Sequence, residues 1–223
     1  MPLRNFKRIF SDARIFADYF IAPFSRRFEK INTIDSLICF VETRASHVAQ
    51  TSLYGYIRTR AGTRYPELFA DEQFITSINI SKWEVWIASV SDLIVYTGGL
   101  LIKGENGEES RVFPVISKIE KSIFERVGKP LDAGDDFCSN ILRQKARIAD
   151  TDWDSVLDGG TSFSESPEAL VVWAPIADNL KELDSEIIRN SVRFRWHEVK
   201  RELRKRLDCQ SVLRSVNTLQ NDV

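Results

Sequence analysis

Apolar residues return every three or four positions along most of the chain, while strict alternation is confined to short runs, so the pattern predicts one helix after another. The first stripe holds Phe6, Ile9, Phe10, Ala13, Phe16, Ala17, Phe20 and Phe24, with Arg4, Lys7, Arg8, Ser11 and Arg14 towards the opposite side. Ile15 and Tyr19 break the pattern, and Pro23 ends or kinks the helix because proline lacks an amide hydrogen. A second helix is predicted from Asn32 or Thr33 to about Thr59. Ile34, Leu37, Ile38, Val41, Ala45, Val48 and Ser52 mark its buried side, and Gly62 is its left-handed terminator.

A turn at residues 66–69 leads to a third helix near Asp71, carrying Phe74, Ile78, Val85, Leu93 and Leu100. After Trp83 it is apolar nearly all round, which belongs at the centre of a bundle. Gly98-Gly99 and Gly104 are its expected stops. A small hairpin built from 93–96, 100–103 and 111–116, around Asn106-Gly107, is the alternative.

Val115, Ile116, Ile119, Ile123 and Val127 define a further helix closed by Gly128 and Pro130. Phe137, Ile141, Leu142, Lys145 and Ile148 define another, opened by Asp135 and Asp136. Residues 150–166 read as an acidic, Ser/Gly-rich loop, and Ser166-Pro167-Glu168 as the start of the next helix. Ile176, Leu180, Leu183, Ile187, Phe194, Leu203 and Leu207 then keep helical phase over about 48 Å. A helix of that length projects from its domain or pairs with another chain. The fold class is all-α: an irregular bundle of about six helices with a long C-terminal helix. Its expected organisation is a basic amphipathic arm at 1–30, one helical domain at 31–208 and a flexible tail at 209–223.

Composition narrows the class. The 223 residues are 43% hydrophobic and 28% charged, a soluble globular balance with enough chain for one core. The net charge of −1 hides an asymmetry. Residues 1–65 hold 11 Lys/Arg against 5 Asp/Glu, residues 66–188 hold 11 against 23, and residues 189–223 hold 9 against 4. Either the basic ends fold onto the acidic middle, or they form a face for an anionic partner. Cys39, Cys138 and Cys209 are odd in number and far apart, so no disulfide framework or zinc site is expected, and a reducing, cytoplasmic compartment fits. Cys39 lies in an apolar run and reads as a small core residue. Residues 1–30 lack the apolar core and cleavage site of a secretory signal. Glu84, Ser89, Ser91 and Asp92 interrupt the apolar run at 83–102, which therefore reads as a buried helix rather than a membrane span.

Candidate chemistry concentrates at 52–66, where Arg58, Arg60 and Arg64 gather with Tyr54, Tyr56 and Tyr65 around Gly62. The arginines suit the negative end of the preceding helix dipole. They also suit a phosphate or carboxylate, with the tyrosines as walls or as stacking platforms for single-stranded nucleic acid. The stretch 193–206 is basic with Phe194, Trp196 and Leu203 interleaved, fitting a solvated face, an anionic surface or a partner helix. Phe6, Phe10, Phe16 and Phe20, with Arg4, Lys7 and Arg8, either dock on the core or meet a protein partner or an anionic lipid surface.

Enzyme signatures fail. The run 150–161 departs from a calcium loop at Ser155 and Thr161. Gly160-Thr-Ser-Phe-Ser164 lacks the closing glycine of a nucleophile elbow, and His47 and His197 have no signature around them. No Gly-rich phosphate loop, metal motif or cofactor fingerprint is present, so no catalytic residue, cofactor or metal site is assigned. The expectation is a non-enzymatic adaptor or accessory subunit working in a protein assembly or peripherally at a membrane, with the long C-terminal helix meeting a protein partner. Its alternatives are an anion-binding protein, for nucleic acid or a phosphorylated ligand, and a hydrolase with a site that leaves no linear spacing.

Overall fold

In the computed structural model, which describes residues 29–105, 108–158 and 161–220, Thr33 opens the first described helix through a reciprocal capping box with Ser36. This helix, α1, runs over Ile34–Ala61 and is closed by Gly62, whose φ of 55° is one a side chain would resist. After a single turn at Tyr65–Leu68, Asp71 caps α2 by accepting from the amides of Gln73 and Phe74. α2 covers Glu72–Gly104. Then follow α3 (Glu109–Val127), α4 (Phe137–Ala149), α5 (Glu165–Trp173), α6 (Asp178–Arg206) and α7 (Cys209–Gln220). The chain divides into two units, Met1–Lys30 and Ile31–Val223, and among the described residues helices α1–α7 belong to the second. The residues proposed for the amphipathic arm (Arg4, Phe6, Lys7, Arg8, Phe10, Phe16 and Phe20) lie outside the described residues.

The fold is all-α, with α2 as its axis. α1, α3, α4, α5, α7 and the 3-10 turn Trp153–Asp158 all pack against it. By length and composition α2 resembles a membrane span, yet 94% of its most apolar window is buried inside the domain. Three of its interior polar groups reach other elements: Ser81 donates to the Trp173 carbonyl, Lys82 pairs with Asp132 at 2.7 Å, and Asn140 donates to Glu84 at 2.7 Å. A helix apolar all round has no preferred rotation, and these directional contacts select one.

Gly98-Gly99 does not end α2, and no hairpin forms there: 93–96 and 100–103 are helical within α2, and 111–116 lies in α3. Gly98 serves close packing instead. A Cβ there would lie 2.4 Å from Cζ3 of Trp153 and 2.8 Å from Cδ1 of Ile116. Trp153 is itself buried, so the segment read as a solvated acidic loop contributes to the core. Gly98→Ala therefore overpacks the interior. We expect a loss of about 1–3 kcal/mol, outweighing the gain of about 1 kcal/mol in helix propensity. The check is the urea midpoint at constant m-value, and an unchanged or raised midpoint would mean that the Trp153 ring moves aside freely.

Three further expectations are corrected. Residues 209–220 are not a flexible tail but the helix α7, which buries Val212, Leu213 and Val216. The segment is polar on average, but its few apolar residues share one helical face, and Asp208 opens the helix by accepting from the Ser211 amide at 3.1 Å. Cys39 is exposed rather than in the core, because it lies off the inward face set by Leu37, Ile38 and Val41. Leu142 is exposed too, and Gln144 takes the buried position on α4.

Candidate protein-interaction surface

α6 is held to the domain along its length. Ile188, Val192, Trp196, Val199 and Leu203 recur at spacings of three and four and are buried. Polar anchors reinforce this face. Near the start, Asp184 accepts from the Tyr56 hydroxyl at 3.0 Å and from Arg60 Nε. One turn on, Arg189 grips Glu168 of α5 with two donors, one at 2.9 Å. Towards the end, Glu202 accepts from Arg44 at 2.7 Å and from Arg206.

The deepest anchor is at Trp196. Its Nε1 donates to Ser166 Oγ at 2.9 Å, and that hydroxyl donates to Asp92 Oδ2 at 2.6 Å. Asp92 also accepts from the Ser166 amide at 2.8 Å and the Glu165 amide at 3.2 Å, and forms an ion pair with Arg147 Nη2 at 3.0 Å. One fully buried carboxylate thus joins α2, α4, α5 and, through Ser166, α6. Its pKa is pushed up to about 6 by burial, against which Arg147 and the Ser166 and Glu165 donors pull down. Trp196 also stacks on Phe163 at 4.7 Å between ring centroids, and Phe163 on Tyr96 at 5.1 Å.

Among the described residues, the opposite face of α6 has no such cover. Leu183, Ile187 and Phe194 are 77%, 70% and 77% exposed and lie on one line, with exposed Asn190 between them. Their spacing of four, three and four is that of a helix seam awaiting a second helix. A shallow groove of about 530 Å³ flanks the start of α6, between Phe74, Ser77 and Ile80 of α2 and Trp173, Pro175 and Lys181.

Of the arginine-turn residues, Tyr56 and Arg60 meet at one acceptor, Asp184 of α6. The contact holds the Asp184 carboxyl below its ordinary range, chiefly through the Arg60 hydrogen bond. Arg64 turns away to Glu67 at 3.2 Å, and both side chains are exposed. Arg58 is exposed in the last turn of α1, and its charge acts on Tyr65. Tyr65 packs edge-on against Phe69 at 5.2 Å, while burial pushes the Tyr54 hydroxyl up to about 12. Of these six residues, Tyr56 and Arg60 clamp the beginning of α6.

Reading the sequence as one stripe merged two faces of α6. Leu183, Ile187 and Phe194 point outward, whereas Leu203 belongs to the inner set. The inner set was itself visible as Ile188, Val192, Trp196 and Val199, at spacings of four, four and three. Ser166 carried a weaker signal, since a serine before proline reads first as a cap; here Ser164 is the cap and Ser166 serves Asp92. Comparison of the chain with known protein families, with curated proteins and with solved structures gave no match.

Proposed function

We propose that this chain is a non-enzymatic adaptor or accessory subunit that works within a protein assembly, and that the outer face of α6 is its docking surface. The observation that carries this reading is the contrast between the two faces of α6: one is anchored by four polar contacts and a buried seam, the other exposes Leu183, Ile187 and Phe194. A helix already fixed in place loses little conformational entropy when it meets a partner. Apolar side chains at helix-seam spacing are how one helix recognises another. The arginine turn has a supporting part, because Tyr56 and Arg60 hold the end of α6 that carries Leu183 and Ile187.

A photo-crosslinking residue at position 187, irradiated in the native cell, is expected to trap a discrete protein adduct. The same residue at position 142, exposed on α4, should trap none above background. Equal labelling at the two positions, or no adduct at 187, would overturn the reading.

A further inference from the structure

We infer that the partner seated on α6 is a second copy of this chain, with the two α6 helices antiparallel about a two-fold axis passing beside Asn190. The inference rests on the docking reading above and adds the identity of the partner. Its basis is the distribution of charge along the exposed helix. Among exposed side chains, residues 178–187 hold three Asp/Glu and no Lys/Arg, and residues 188–206 hold four Lys/Arg against one Glu. A parallel pair would set like halves against each other. An antiparallel pair sets the acidic half of each copy against the basic half of the other, which is the self-complementarity that an isologous interface requires.

The side chains agree in register. With the axis beside Asn190, Ile187 of one copy meets Phe194 of the other, and Leu183 meets the His197 end of the seam. Glu186 and Arg193 are both exposed and seven residues apart, so they occupy the same flank of the seam. In antiparallel pairing that flank faces its own counterpart, and each Glu186 approaches the other copy's Arg193. The second flank carries Asp184, Ser191 and Glu198 and supplies no attractive pair, with Asp184 already engaged by Arg60. The choice of register therefore rests on the Glu186–Arg193 pair, which the symmetry repeats twice.

The test is sedimentation equilibrium of the full chain and of exposed-surface variants. The wild-type chain is expected to dimerise reversibly. Glu186→Arg and Arg193→Glu, each alone, make two like-charge contacts per dimer and should weaken it about tenfold. An equimolar mixture of the two variants restores both pairs and should dimerise as wild type does, as should the chain carrying both changes. Ile187→Asp should be monomeric with an unchanged far-UV spectrum. A wild-type chain that stays monomeric at its highest soluble concentration would overturn the inference, as would a mixture no tighter than its components. The position-187 adduct separates the two failures: a different protein in the adduct leaves α6 as a docking surface and removes only the second copy, whereas no adduct removes both.

Discussion

Replacing Asp92 by alanine is expected to cost about 3–5 kcal/mol, the range for removing one partner of a buried ion pair. The site shows why the loss is large. Without the carboxylate, Arg147 is left as a charge facing the interior, and the Glu165 and Ser166 amides that open α5 lose their acceptor. Against a typical total of about 5–15 kcal/mol, that leaves a marginal protein. The penalty also depends on pH, and its sign follows from the raised pKa. Asp92 has an ordinary value of 3.8 and a folded value of about 6, so between these limits the folded chain holds a proton that the unfolded chain lacks. The contribution of Asp92 is therefore fullest below about pH 4 and falls as pH rises through 6. Glu168 and Asp184, held low chiefly by Arg189 and Arg60, act in the opposite sense and lose their contribution as pH falls. Urea unfolding of wild type and Asp92→Ala at pH 7 and pH 4.5 isolates Asp92, because the other carboxylates cancel in the difference. The difference should be larger at pH 4.5. Equal differences would mean that the carboxyl titrates normally and is not desolvated.

A chain ended at Asp208 should lose cooperative unfolding or melt far below the full chain. α7 buries Val212, Leu213 and Val216, each worth about 2 kcal/mol. Its Ser215 hydroxyl accepts the Ile34 amide at 3.0 Å, one of the free N–H groups at the start of α1, and Gln210 donates to the buried Glu105. A gentler variant keeps the helix and tests the packing alone: Leu213→Ala should cost about 2–5 kcal/mol. Far-UV circular dichroism during heating reads both. A shortened chain melting cooperatively at the full-length temperature would show that α7 adds nothing to the core.

Much of the fold was legible because it is written locally. Thr33 and Asp71 start helices and Gly62 and Gly128 stop them through contacts within a few residues, and the all-round apolarity of α2 identifies it as the axis. What escaped the sequence depends on distant partners. Gly98 looks like a breaker until Trp153 is seen against it, and α7 looks like a tail until Val212 and Leu213 meet the core. Asp92 was legible as a break in an apolar run, but not as the carboxylate that Ser166 and Arg147 meet, with Trp196 joined through the Ser166 hydroxyl. At the arginine turn the cluster itself was plain, whereas the destination of each charge was set elsewhere, by Asp184 for Arg60 and by Glu67 for Arg64. In α6 the periodicity was strong on both faces, so spacing alone did not tell the inner seam from the outer one.

The contact between Ser215 and Ile34 spans 181 residues, and the Ile31 backbone is clasped at both its amide and its carbonyl by Arg206 and Asp208. The opening of α1 is therefore completed by groups synthesised up to 181 residues later. At about 5–20 residues per second, the start of α1 waits roughly 10–35 s for its final partners. During that interval Ile31, Ile34 and Leu37, buried in the finished domain, have no α7 to lie against. A nascent chain of this protein carries an open apolar seam throughout that interval, a state in which a holding chaperone would find it.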